Sequence, residues 1–511
     1  MKQYPIAAAI LGVLIGILAT LTIQSIDSKR KMMKVENRDW RKVNLILQCI
    51  KDNYVDTVDT KAVTEAIANA ALAELDPHSQ YLPPVSREEA VANLAGNFDG
   101  IGVQFNVPND TAIIIEVIPG GPSERSGLQS GDRILKVDST VIAGVKFPQD
   151  SIVSRIKGKA GTKVNLTIKR DKEIIPFEIT RGKIPTHSVD AAFMVGEKVG
   201  YLRLSKFSRT TSFEVLKACV DLSAQGMESL IFDLRDNSGG YLDQALEVAN
   251  LFLSKDQAIV YMEGLHRKRE DFKADGKGPF QNIGLCILID ENSASSSEIL
   301  AGALQDNKRA TIVGRRSFGK GLVQEPFDFT DGSGLRITVA RFYTPSGRCI
   351  QKPYSDDYNY EVYKRYNSGE MISADSMHVE DGGILPDLFV PIDTTAAGPF
   401  FVACSRKATT VRFSSDHFDR HKDELSQIDD YDKLIAYLKS SDIEEAFLKF
   451  AYQKDGLQPK RSEWETDRKY IMTQVEALVG RYSKLGDNAY YHIFLQTDNC
   501  FEKAWDSLSS L

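Results

Sequence analysis

The chain has 511 residues, 42% of them hydrophobic and 26% charged, with a formal net charge of −7. Hydrophobic cores usually split beyond about 300 residues, so three or four units are expected. The composition is that of a folded globular protein, and so small a net charge gives no sign of nucleic-acid binding.

Residues 6–23 form an uncharged run, IAAAILGVLIGILATLTI, just long enough for a bilayer core of about 30 Å. No clear small-residue cleavage site follows it, so residues 1–27 are expected to be a membrane anchor or signal, with an uncleaved anchor favoured. Lys2 stands alone before the run and Lys29, Arg30, Lys31 and Lys34 follow it. By charge bias alone, the bulk of the chain belongs on the cytoplasmic side.

Residues 28–97 read as helical, with Leu47, Ile50 and Tyr54, then Val63, Ile67 and Ala71, at helical spacing. The segment closes on LDPHSQYLPP, whose prolines stop a helix. Residues 98–182 carry short β-like runs between glycine turns, the size of a small β-rich module. Residues 183–395 alternate strand and helix patterns, which predicts an α/β core with mostly parallel strands and a polar, tyrosine-rich insertion at about 352–381. Residues 396–511 return to helical spacing, as in Ile471, Val475, Leu478 and Val479. The six cysteines, Cys49, Cys219, Cys286, Cys349, Cys404 and Cys500, lie far apart without zinc spacing, which favours core thiols over a disulfide framework.

Three stretches carry chemistry. In ENSASSSEIL, residues 291–300, Ser295 and Glu298 fit a capping box, so the serines either start a helix or include a nucleophile. None of the seven histidines lies in this cluster. In GRRSFGKG, residues 314–321, a phosphate-binding pattern fails at its last position, where Gly321 has no hydroxyl for magnesium and LVQEPFDF reads as extended rather than helical. What survives is Lys320, between two glycines and followed by Leu322 and Val323. An ammonium against an apolar wall loses hydration, its pKa falls, and it can then act as a base. In DLRDNSGGYLDQALEVA an apolar strand runs through Asn237, Ser238, Gly239 and Gly240 into a helix. This is either an ordinary turn or a point where backbone N–H groups converge on an oxyanion.

Together these stretches resemble the C-terminal processing peptidases, the tail-specific proteases of peptidase family S41. SASSSEI matches the nucleophile motif with Ser295, FGKG supplies Lys320 25 residues later, and Gln324 falls at the lysine-orienting position. LDPHSQYL, LRDNSGG, AGALQDNKRATIVG, RFYTPSGRCIQ and GGILPDLFV match in order across about residues 40–395. The departures are Ser296, where alanine is usual, and the insertion at 352–381. The helical tail lies outside the shared family core.

The resemblance implies a ClpP/crotonase-like α/β core and a Ser-Lys dyad of Ser295 and Lys320 held by Gln324. It puts the oxyanion hole at the N–H groups of Ser296 and of Gly239 or Gly240. FDGIGVQF and PGGPSERSGLQSGDRILKVD mark the β-rich module as similar to a PDZ domain, with Gly100, Ile101, Gly102 and Val103 at the substrate C-terminus. Arg133 reads as a solvated turn residue or a regulatory contact. No cofactor or metal is implied. The expected partners are proteins or peptides with exposed C-termini, and the membrane through the N-terminal segment; homo-oligomerisation is left open. Against the charge bias, the family places the catalytic part in the periplasm, anchored to the inner membrane. The competing reading is a catalytically degenerate, membrane-anchored PDZ scaffold.

Overall fold

A computed structural model describes residues 38–84, 97–107, 110–118, 120–170, 172–185, 187–354, 360–374, 382–393 and 398–509. The apolar run at 6–23 and residues 355–359 and 375–381 of the insertion at 352–381 lie outside these residues. Among the described residues no helix is long and apolar enough to cross a membrane. The chain divides into two compact units, Met1–Leu75 and Asp76–Leu511.

The first unit holds two helices, Arg38–Asn53 and Thr60–Ala73. Asp59 caps the second by accepting from the N–H groups of Lys61 and Ala62 at 3.0 and 3.1 Å.

The second unit opens on a tight turn in which Asp76 accepts from the N–H groups of His78 and Ser79, both at 2.8 Å. The turn leads into a strand, Gln80–Leu82, where helix was expected. That strand pairs with Gly334–Tyr343 in a five-stranded sheet with Ala258–Gly264, Arg267–Lys273 and Leu322–Asp328.

Residues 97–185 form the β-rich module. Its entry and exit strands, Asn97–Gly100 and Gly182–Pro185, pair with each other, so the module is a closed excursion from the chain around it. Lys163–Arg170 shows why the sequence alternates: Val164, Leu166 and Ile168 are buried and the residues between them face outward. With Ile114, Ile134, Ile152 and Ile179 they make the module's core.

The following region builds a six-stranded sheet in the order Val189–Val195, Val199–Leu204, Ser229–Asp233, Gly284–Ile289, Thr311–Gly314, Leu388–Phe389. The first pair is antiparallel and the rest are parallel. Strands such as GLCILI are apolar throughout because both faces are covered. Thr211–Ala224, Leu242–Phe252 and Ser296–Asp306 supply one face. On the other, Tyr201, Ile231, Cys286, Leu288 and Val313 pack against Leu495, Cys500, Ala504 and Leu508, so a helix some 200 residues downstream, Asn499–Ser509, completes the core.

The helical region from Pro399–Arg406 onward has its own core around Phe413, Leu434, Phe447, Ile471 and Val475. All six cysteines are free; Cys219, Cys286, Cys404 and Cys500 are buried thiols, whereas Cys49 and Cys349 are exposed, against the expectation for those two. Arg133 is not a simply solvated turn residue either, because its guanidinium donates to Asp419 on the helix Thr409–Arg420 and ties the β-rich module to the helical region.

Candidate active site

Ser295 sits between the buried strand Gly284–Ile289 and the helix Ser296–Asp306, with φ 55° and ψ −113°. Positive φ is costly for a residue with a side chain and persists where surrounding contacts enforce it. Here the enforcing group is Glu298, which is fully buried and accepts the Ser295 N–H at 2.8 Å. The N–H of Glu298 goes to the Ser295 carbonyl at 2.9 Å, so the helix start leaves the Ser295 hydroxyl unused.

The neighbouring serines differ in this respect. Ser293 Oγ donates to the Leu234 carbonyl at 2.8 Å, Ser296 Oγ to Gly240 at 3.0 Å, and Ser297 Oγ to Asn237 at 2.8 Å. Among the described residues, Ser295 alone of the four has a hydroxyl with no hydrogen-bond partner. The other three stitch the helix start to the turn Asn237–Gly240.

Glu298 also reaches the loop of Lys320. One carboxylate oxygen accepts the Lys320 N–H at 2.8 Å, and the other accepts the Gly319 N–H at 2.6 Å and the Ser317 hydroxyl. The N–H groups of Ser295 and Lys320 therefore converge on the same oxygen. Burial raises the Glu298 carboxyl, while these four donors pull it back towards the charged form. The Lys320 ammonium is lowered, first by burial and then by the charge of Arg336, with Glu298 acting against them. Among the described residues its side chain has no ion pair.

Gln324 lies on the strand Leu322–Asp328 and donates from Nε2 to the His78 carbonyl at 2.7 Å. No hydrogen bond joins Gln324 to Lys320 among the described residues. His78, which the sequence did not single out, is pulled down to about 4 by burial and by the Lys320 charge, and so stands neutral beside the lysine.

The glycine turn presses directly on Ser295. Gly239 has φ 96°, and a Cβ there would come within 2.7 Å of the Ala294 carbonyl, 2.8 Å of Ser295 Cβ and 2.9 Å of the Ser296 nitrogen. Only glycine permits this approach. Its N–H is already donated to Asn237 Oδ1 at 2.9 Å. Of the three expected oxyanion donors, those without an acceptor among the described residues are Ser296 and Gly240.

Beneath the turn, Asp233 accepts from Tyr201 Oη at 2.7 Å and from Arg235 at 2.6 Å. Burial alone would raise this carboxyl, but Arg235 and Arg203 hold it at about 2.

In the β-rich module, Val103–Asn106 is the edge of its sheet. A cavity of about 210 Å³ runs between this edge and the helix Gln149–Ile156, lined by Gly100, Ile101, Gly102 and Val103 on one side and by Val153 and Ile156 on the other. An open strand edge beside a helix is the arrangement that takes up an extended chain end. No group of three or more His, Cys, Asp or Glu side chains among the described residues is placed to hold a metal.

A helix-flanked, mostly parallel sheet with a strained serine at a strand-to-helix turn, preceded in the chain by an edge-open β module, defines an α/β peptidase with a peptide-binding module. Family models agree: peptidase family S41 matches residues 198–360, a PDZ domain matches 100–180, and a family of unknown function matches 400–483. A probable CtpA-like serine protease of Staphylococcus haemolyticus is 32% identical over 358 residues, 68% of this chain and 71% of that protein. The carboxyl-terminal-processing protease of a Picosynechococcus species is 36% identical over 295 residues, 56% of this chain and 70% of that protein. A solved photosystem II D1 C-terminal processing protease aligns with 27% identity and a TM-score of 0.39, covering 69% of this chain and 87% of that one. The chain belongs to peptidase family S41, as a C-terminal processing serine protease with a PDZ domain and a helical C-terminal region.

Proposed function

We propose that the protein is a serine endopeptidase that takes up the C-terminal tail of protein substrates on its PDZ domain and cuts with a Ser-Lys dyad. The observation carrying this is the Glu298 carboxylate, which gathers the backbones of Ser295 and Lys320 onto one oxygen while leaving the serine hydroxyl and the lysine ammonium unpaired. Neutral Lys320 takes the Ser295 proton as Oγ attacks the scissile carbonyl. The oxyanion is met by the N–H groups of Ser296 and Gly240, at the positive end of the helix Ser296–Asp306. Lys320 then protonates the leaving amine, and water, deprotonated in its turn by Lys320, releases the acyl group.

Gln324 acts through the His78 turn that walls the lysine, and not by a direct bond to the ammonium. A serine at the end of a central parallel strand supports a ClpP/crotonase-like core. Tail capture at Gly100–Val103 raises the local concentration of peptide bonds at the dyad. The apolar run at 6–23 supports anchoring in the inner membrane with the catalytic part in the periplasm. The degenerate-scaffold alternative is disfavoured, since both reactive side chains are present.

The deciding experiment measures cleavage of a polypeptide with an apolar C-terminus. Ser295→Ala and Lys320→Ala are each expected to lower kcat/KM by at least about a thousandfold, and amidating the tail is expected to slow the intact enzyme. Activity retained in Ser295→Ala would sink the dyad; equal rates on amidated and free tails would sink tail capture.

A further inference from the structure

A cavity of about 540 Å³ lies between the PDZ domain, the protease core and the helical C-terminal region. Its size is within the roughly 300–1,000 Å³ of ordinary ligand sites. It shares Phe98, Val103 and Gln104 with the tail groove, so it opens beside the same sheet edge. On the opposite side it is bounded by Ser205 and Lys206 of the protease core. The next residue, Phe207, donates its N–H to the Gly239 carbonyl at 2.9 Å and accepts from the Tyr241 N–H at 2.9 Å. The cavity thus adjoins the tail groove through Phe98, Val103 and Gln104, and its Ser205–Lys206 wall leads along the chain to a residue hydrogen-bonded to the turn that presses on Ser295.

The charges along this wall are unevenly satisfied. Arg481 pairs with Asp487 at 2.6 Å. Asp190 accepts from Ser205 Oγ at 2.7 Å. Lys206 is half-buried and Lys484 exposed, and neither side chain forms an ion pair or hydrogen bond among the described residues, although the Lys484 charge acts on Asp429. Burial lowers the Lys206 ammonium, with Asp190 and Glu214 acting against it. A half-buried cation in no direct ion pair can take an incoming carboxylate as a closer partner than the acidic groups already near it.

Resting on the proposed tail-capturing activity, we propose that this cavity is a substrate subsite in which Lys206, with Lys484 on the same lining, receives an acidic side chain from the segment joining the captured tail to the scissile bond. The enzyme then reads two features: an apolar chain end in the groove and an Asp or Glu upstream of it.

The test uses the full-length enzyme and a peptide series with a fixed apolar tail, in which one residue, Glu, Gln or Lys, is walked through the positions upstream. At one or two positions Glu is expected to exceed Gln by about fivefold in kcat/KM, mostly through KM, and the preference should shrink as salt is raised. Lys206→Met together with Lys484→Met should erase the preference. Lys206→Glu should reverse it in favour of the Lys peptide, a gain that misfolding cannot produce. Equal rates for Glu and Gln at every position, or a preference that survives in the double variant, would overturn the subsite. Failure of every peptide to be cut would instead overturn the proposed peptidase reading.

Discussion

The proposed dyad of Ser295 and Lys320 is brought together by one carboxylate that belongs to neither. Glu298 sits three residues after the serine and 22 before the lysine's own N–H, and its two oxygens accept from both loops. The proposed pair is read from the sequence because its residues fall in short motifs with fixed spacing. Glu298 was legible only as a helix cap, since nothing local shows that a capping carboxylate has a second side turned towards another loop. His78 was not legible at all, because its place beside Lys320 comes from a pairing between Gln80–Leu82 and Gly334–Tyr343, over 250 residues apart. At this scale the lysine's depressed pKa makes a pH prediction. In the proposed mechanism the neutral amine is the working form, so kcat/KM should rise with pH and level off with an apparent pKa below the ordinary lysine value of 10.5. A profile still climbing through 10.5 would show that Lys320 is not the base.

Among the elements, the strand Ser229–Asp233 and the turn after it hold the site from below. Arg235 links Asp233 to Asp498, just before the helix Asn499–Ser509, at 2.6 and 2.7 Å. Asp233, held at about 2, contributes stability above its ordinary value of 3.8 that is lost as pH falls from 3.8 towards 2. Arg235→Ala leaves a buried carboxylate with less compensation, and about 3–5 kcal/mol of stability should go with it. Thermal melts at pH 7 should show a large fall in Tm that narrows towards pH 3, where the freed carboxyl accepts a proton; a fall of equal size at both values would refute the charge argument. The alternating strands of the PDZ domain and the apolar strands of the core follow from period and composition. The strand Gln80–Leu82 did not, being three residues long and set in a segment whose helical spacing dominates.

For the molecule as a whole, the main surprise is where the core ends. The helical tail reads from sequence as lying outside the shared family core, and the region around Phe413 and Phe447 does have a core of its own. The last helix leaves that region and covers the second face of the central sheet. Amphipathic spacing shows that a helix has an apolar side but does not show which surface receives it. Leu508, 7% exposed against this sheet, is a direct probe. Leu508→Ala should cost about 2–5 kcal/mol and lower activity together with Tm. A stable, fully active variant would mean that the protease core stands without this helix.

That placement also sets a timetable. The strands of the central sheet are made roughly 200 residues before the helix that covers them, and chains emerge in order at about 5–20 residues per second. For that interval the sheet has one bare apolar face, and Arg235 lacks the aspartate that fixes the strand leading to the glycine turn. A half-made chain therefore holds Ser295 and Lys320 before its core is covered, so activity is expected to appear only once the late helix has docked, the dependence that the Leu508→Ala measurement tests.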